Sequence, residues 1–192
     1  MPSLALRNWD TVRIPVLDEI EQAHRRIGGA GRGRRYRMQQ INYAYALLLC
    51  AHFQGFCRDL HSECVTFLVD KVSPPAIPSA GPILRTAFVQ NRLLDSGNAN
   101  AGNIGSDFKR FGIKIIEKTK NRNRYNERRL RHLQDLNDWR NMIAHENFVQ
   151  GASRGLTLEK VKVWRSACES LVKEFDIVMA DVLDDIVGTR PW

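Results

Sequence analysis

Hydrophobic positions along this chain recur almost everywhere at helical spacing, three and four residues apart. Alternating runs of Val, Ile, Thr and aromatics bounded by hairpin dipeptides are missing. The first apolar stripe, Val16, Ile20, Ala23 and Ile27, predicts a helix from about Leu4 to Ile27, kinked or restarted at Pro15. The glycine cluster from Gly28 to Gly33 ends it and reads as a linker. It lacks the Lys-Ser/Thr ending of a phosphate-binding loop, and no strand precedes it. A second helix is predicted from Arg35 to Lys71. Its middle is apolar nearly all round, which puts it at the centre of the fold. The run Ser73 to Pro78 stops that helix.

The pattern beyond it is more broken. A shorter helix is predicted from Ile83 to Leu94, a Gly/Asn/Ala loop from Ser96 to Ser106, and another short helix from Phe108 to Lys118. Polar residues from Asn121 to Asn126 interrupt the pattern. A helix from Glu127 to Asn147 follows, with Leu133, Leu136, Trp139 and Ile143 turned inward. After a loop from Glu146 to Gly155, a closing amphipathic helix runs from Thr157 to Val187, with Thr157 as N-cap and Glu159 in its first turn. No internal repeat and no composition shift divides residues 1–192, so the expectation is one all-α helical bundle.

Charge changes the picture more than composition does. The net charge is +8, and it is unevenly spread. Ten Lys or Arg stand between Lys109 and Arg131 against Glu117 and Glu127, and six Arg with no acid lie between Arg25 and Arg37. Glu169 to Asp185 carries six acids against Lys173 alone. Two basic concentrations opposed by an acidic helix suit a polyanion, although a charge run is more often a solvated face. Arg outnumbers Lys 21 to 8, and the planar guanidinium suits phosphate. Lys118, Lys120, Arg122, Arg124, Arg128 and Arg129 are therefore candidate RNA-phosphate contacts, with Tyr125 available for base stacking. The longest apolar run, Tyr43 to Ala51, is too short to span a bilayer. Four cysteines without a secretory leader point to reduced thiols and a cytoplasmic protein.

One constellation carries enzyme-like chemistry: Arg140, Asn141 and His145. A guanidinium can polarise phosphate, an amide can orient a group and an imidazole can move a proton. Arg-x4-His alone is cheap in a chain with 21 Arg and five His. Asn directly after the Arg narrows it. The other four histidines have Glu19, Leu47, Phe56 and Glu127 at the position five residues before them. The bland alternative is an Arg paired with Asp138 or Glu146 and a His closing its helix. At 100° per residue, Arg140 and His145 stand about 140° apart, so one helix does not easily bring them together. A second copy across a twofold axis is the simplest way to join them, which predicts a homodimer.

Cys50, Cys57 and Cys64, with His61, repeat along one helix. Two turns separate successive thiols by about 10 Å, too far for one ion, so core packing is expected and no metal or cofactor is called for. His52 and Arg58 are further candidates for the motif's cleft, and His24 and His132 are expected on the surface.

The segment from Leu136 to His145 resembles the signature helix of HEPN domains: Arg, a polar residue, spacers, then His. The long helix that follows and the upstream run Tyr43 to Leu68, with Phe53-Gln54-Gly55-Phe56, are also similar to that family. The resemblance implies an all-α HEPN-like bundle with a long central helix and a motif-helix/long-helix pair at its C-terminal end. It implies two motifs facing each other in a basic groove. It further implies a metal-independent endoribonuclease that leaves a 2′,3′-cyclic phosphate, in bacterial defence or a toxin–antitoxin system, with RNA and possibly a cognate antitoxin as partners. Arg140 would stabilise the transition state, Asn141 orient, and His145 act as acid or base. The alternatives are a non-catalytic HEPN-like module binding nucleic acid or protein, and a plain helical dimerisation protein. The chain departs from the family at Gln54, where an acid is common, at Glu146, and at Asn147, where one toxin branch carries a modifiable Tyr.

Overall fold

The computed structural model describes residues 1–27, 32–73, 77, 79–145 and 155–192. Every regular element among them is helical. The expected linker at Gly28 to Gly31, most of the Ser73 to Pro78 connector, and Glu146 and Asn147 lie outside the described residues.

The N-terminal segment is continuous through Pro15, but by an unforeseen device. Helix α1 (Leu4–Asn8) passes into a π-helical turn (Trp9–Arg13) and then into α2 (Ile14–Ile27). The Ile14 N–H donates to the Trp9 carbonyl, five residues back. This wider turn, placed just before the proline, accommodates a residue that would otherwise clash with the preceding turn. It also drives Trp9 into the core, where its ring stands edge-on to Phe53 and Phe56.

Helix α3 (Arg32–Val72) is the central element and packs against α1, α2 and the later helices. Its buried Tyr45, Leu49, Phe53, Phe56 and Leu60 form the core's axis. Its backbone begins inside the glycine cluster, three residues before the predicted start. Helices α4 (Ala80–Val89) and α5 (Leu93–Ser96) replace the single predicted helix from Ile83 to Leu94. Residue Asn91, with φ of 56°, marks the break between them.

The largest correction concerns Ser96 to Ser106. In place of a loop, α6 (Ala101–Phe108) forms there, capped by the Asn100 side chain, which accepts from the Asn103 N–H at 2.9 Å. Ile104 and Phe108, four apart, face inward, and buried Asp107 accepts the Leu93 and Leu94 N–H groups at 2.9 and 2.8 Å, tying α5 to α6. The predicted helix from Phe108 to Lys118 is a 3₁₀ turn (Lys109–Phe111) followed by α7 (Ile115–Arg122). Gly112 separates them at φ of 74°, a conformation that ends helices and suits glycine.

Helix α8 (Asn126–Ala144) and helix α9 (Leu158–Val187) match their predicted spans closely. The Thr157 hydroxyl caps α9, accepting from Lys160 N–H at 3.3 Å. Helices α3 and α9 run parallel, as the pairings Asn42 with Leu156, Tyr45 with Arg165 and Phe53 with Phe175 require. Helix α8 lies antiparallel to both, with Trp139 beside Tyr43 at one end and Arg129 beside Glu174 at the other. The C-terminal end of α8 therefore emerges beside the N-terminal ends of α3 and α9.

Candidate active site

Helix α8 presents its signature residues because of what its other face buries. Leu130, Leu133, Leu136 and Asn137 are buried, while Trp139 and Ile143 pack half-buried on the core. Asn137 is a polar member of the inner face, and its Nδ2 donates to the Leu133 and Ala99 carbonyls at 2.8 and 3.3 Å. With that face fixed, Asn141 and His145 are exposed and Arg140 lies half-buried at the border. This is the distribution that the helical spacing predicts.

Arg140 and Asn141 are held together. Arg140 Nη1 donates to Asn141 Oδ1 at 3.2 Å, and Asn98 Nδ2 donates to the same oxygen at 2.8 Å. Two donors on one oxygen fix the amide's orientation and turn its N–H₂ outward. Asn98 is itself anchored through its carbonyl, which accepts from Asn103 Nδ2 at 2.8 Å. Arg140 also lies near Cys50, which burial pushes up to about 12 against the opposing pull of that guanidinium. His145 is the C-cap. Its main-chain N–H donates to the Asn141 carbonyl at 3.0 Å, and its ring has no hydrogen-bond partner among the described residues. Within one protomer the guanidinium and the imidazole are not hydrogen-bonded to each other.

A platform of aromatic rings adjoins the trio. Trp139 stands 6.5 Å from Tyr43 and 6.3 Å from Trp164, and Lys160 Nζ lies 5.3 Å from the centroids of both tryptophans. Asn98 and Lys160 are the site neighbours that sequence reasoning missed. Asn98 is 43 residues from Asn141 in the chain, so no local pattern points to it.

The sequence profile of the RiboL-PSP-HEPN family matches residues 16–181, most of the chain. The chain belongs to that HEPN family. No curated protein and no solved structure matches it. The all-α architecture agrees with a HEPN bundle, the long central helix being α3 and the C-terminal pair α8 and α9. No helix among the described residues is long and apolar enough to cross a membrane. No group of three or more His, Cys, Asp and Glu among them is placed to hold a metal ion.

The basic segment of this HEPN domain divides in two. Arg122 pairs with Glu174 at 3.4 Å and Asp181 at 2.9 Å, and Arg129 reaches Asn126 at 2.7 Å and Glu174 at 3.6 Å. The acidic face of α9 thus occupies two of the six predicted phosphate contacts. Lys118, Lys120, Arg124 and Arg128 are exposed and form no ion pair among the described residues. Tyr125 is already covered by cations: Arg124 lies 4.8 Å from its ring centroid and Arg128 5.9 Å.

The remaining histidines are engaged elsewhere. His61 is buried between Phe108 and Phe111, with Nε2 at 3.3 Å from the Asp107 carbonyl and Nδ1 at 3.4 Å from Arg92 Nη1. Burial and the Arg92 charge lower its pKa to about 4, which fits a neutral ring donating to the carbonyl and accepting from the guanidinium. His52 lies beside Arg13, which donates to its carbonyl at 3.3 Å, and burial followed by the Arg13 charge lowers its pKa. Arg58 pairs with Asp95 at 3.1 Å. His132 is half-exposed, but His24 is buried, which corrects the surface expectation for it.

Proposed function

We propose that this protein is a metal-independent endoribonuclease, one HEPN-like domain over residues 1–192 that acts as a homodimer on single-stranded or looped RNA. The observation that carries this reading is the state of the trio: Arg140 and Asn141 clamped together on the open face of α8, and His145 exposed at its end with a ring free of partners among the described residues. His61, by contrast, has both ring nitrogens engaged within the core.

In the proposed reaction His145 acts as general acid/base. The 2′-oxygen loses its proton and attacks phosphorus. The bond from phosphorus to the 5′-oxygen breaks, and the departing oxygen is protonated. The products are a 2′,3′-cyclic phosphate and a 5′-hydroxyl. Arg140 neutralises the extra charge on the phosphorane through its fixed fork of donors. Asn141, its carbonyl oxygen already occupied, offers its N–H₂ to a phosphate oxygen. Because Arg140 and His145 lie on different sides of one helix, the reading places two copies of α8 across a twofold axis, so that each phosphate meets groups from both protomers. Lys118, Lys120, Arg124 and Arg128 would hold the flanking backbone. A cytoplasmic setting in bacterial defence or a toxin–antitoxin pair, with a cognate antitoxin, completes the proposal.

The test is incubation of purified protein with total RNA in excess EDTA. Fragments ending in a cyclic phosphate are expected. The His145→Ala protein should be slower by about 10²–10⁴-fold, the usual contribution of a positioned acid or base. Undiminished cleavage by that variant removes His145 from the mechanism. RNA binding without cleavage by the wild type would favour the non-catalytic module instead.

A further inference from the structure

A cleft of about 470 Å³ opens between α6 and α7, within the range of about 300–1,000 Å³ usual for small-molecule sites. Its floor is apolar. Gly102 and Gly105, three apart on α6, put no side chain into it, and half-buried Ile113 and Ile116 line it from the other wall. Its rim is basic: Lys109, Lys114 and Lys120 are exposed around it. Glu117 pairs with Lys114 at 3.1 Å, which leaves the rim net positive. The fold does not demand glycine at 105. Its backbone is helical, and a Cβ there would make only an ordinary contact with Ile116 Cγ1 at 3.7 Å. Alanine would favour the helix, so the glycine serves the open floor and not the fold.

The rim and the floor together select an occupant. Three of the chain's eight lysines line this cleft, whereas its 21 arginines supply none of the described lining. Lysine is a compact charge on a flexible stem, and it follows a phosphate that is not held at one fixed angle. The neighbouring Arg110 is spent inside the fold, on the carbonyls of Ala87, Phe88, Gln90 and Asn91. The occupant is therefore an anion with an apolar face to cover. A partner helix fits badly. Helices α6 and α7 have eight residues each, about 12 Å of wall, and a helix of three or four turns would overrun both.

We infer that the cleft between α6 and α7 holds one nucleotide of the RNA flanking the cleaved bond, its base on Gly102, Gly105 and Ile116 and its phosphates against Lys109 and Lys120. The inference rests on the ribonuclease reading and adds a subsite to it. The cleft and the trio share one support. Asn103, next to Gly102, donates from Nδ2 to the Asn98 carbonyl at 2.8 Å, and Asn98 Nδ2 donates to Asn141 Oδ1 at 2.8 Å. A strand held at Asn141 thus meets the first turn of α6 next. The glycines and isoleucines of the floor present no side-chain donor or acceptor. The subsite therefore takes any base, and contributes affinity without sequence preference.

The experiment reads the affinity of the full-length protein, by fluorescence anisotropy, for two 2′-O-methyl decamers of equal charge, which lack the attacking hydroxyl. One is of uridine and the other is wholly abasic. Gly105→Leu fills the floor and should weaken the uridine decamer about tenfold, as for losing cover on roughly 50 Å² of apolar surface. It should leave the abasic decamer and the salt slope as in wild type. Lys109→Ala should weaken both decamers and flatten the slope of log affinity against log salt by about 0.7. Melting temperatures report whether each variant folds. Should Gly105→Leu not fold, Gly105→Ala should lose about two- to threefold on the uridine decamer alone, for the roughly 25 Å² that a methyl group takes. A folded Gly105 variant that binds both decamers as wild type does overturns the inference and leaves the cleft to a protein partner. An equal loss on the two decamers overturns it too, as does a wild-type salt slope in Lys109→Ala. A protein that cleaves RNA in EDTA yet shows no Gly105 effect loses the subsite alone. One that shows the effect but never cleaves loses the ribonuclease reading alone. Failure to bind either decamer overturns the subsite, and cleavage in EDTA then judges the ribonuclease by itself.

Discussion

His61 and His145 occupy opposite extremes of one fold. His61 sits in the core, wedged between two phenylalanines, with both nitrogens engaged by Asp107 and Arg92. His145 ends α8 in the open, with no ring partner among the described residues. The comparison separates two uses of imidazole. In the core it is a shaped, neutral spacer whose hydrogen bonds hold α3 to α6 and to Arg92 at the start of α5. At the helix end no hydrogen bond among the described residues occupies the ring, which is the state that the proposed proton transfer requires.

The sharpest way to break the comparison acts on the guanidinium proposed to work with His145. Arg140→Ala should lower cleavage by about 10²–10³-fold, the loss usual for one oriented donor to a developing anion. Its fold should survive, because Arg140 is half-buried and, among the described residues, bonds only to its exposed neighbour Asn141. Arg140→Lys should recover little, since an ammonium cannot reproduce the bidentate fork. A melting temperature that falls in step with activity would make Arg140 structural and erase the contrast with His61.

His61 should fail in the opposite way, through stability and not through chemistry. Its folded pKa, about 4, lies below the usual value of 6.5, so the unfolded chain binds the proton first as pH falls. Its contribution to stability is full above about pH 6.5 and declines between there and about pH 4. The full swing is on the order of 3 kcal/mol. Urea melts at pH 7 and pH 4.5 should show this loss in wild type, and His61→Leu should flatten the part due to this residue. An unchanged pH slope in that variant would mean that other groups dominate acid unfolding.

The same contrast explains what the sequence could disclose. Helices α3, α8 and α9 were legible because each is long: α3 is apolar nearly all round in its middle, α8 and α9 carry an apolar stripe, and α9 is opened by a Thr cap. The trio was legible because its three residues share one helix and sit close in sequence. Helix α6 was not, because Gly, Asn and Ala mask its period; its signal lay in Asn100 as a cap and in the Ile104 to Phe108 spacing. The π turn before Pro15 leaves no local composition mark. Asn98 on Asn141, Arg122 on Glu174 and Asp181, and the burial of His24 beside the start of α9 all depend on contacts between distant segments. Local pattern constrains an element and its exposed face; it does not say which charges another helix has already neutralised.

That last point separates the six predicted phosphate contacts, and the smallest expected effects test it. Lys118, Lys120, Arg124 and Arg128 are exposed and outside any ion pair among the described residues, whereas Arg122 and Arg129 are shared with α9. A cation that meets RNA displaces counterions, so removing one such cation should reduce the slope of log affinity against log salt by about 0.7 for a single strand. Lys118→Ala combined with Lys120→Ala should flatten that slope by up to twice this amount and leave stability to urea within about 0.5 kcal/mol of wild type. Arg122→Ala should do the reverse, destabilising by about 0.2–1 kcal/mol, as partly exposed pairs do, with no change in salt slope. If Arg122→Ala flattens the slope and the double variant does not, the acidic face of α9 gives way to RNA, and the free and paired halves of the basic segment exchange roles.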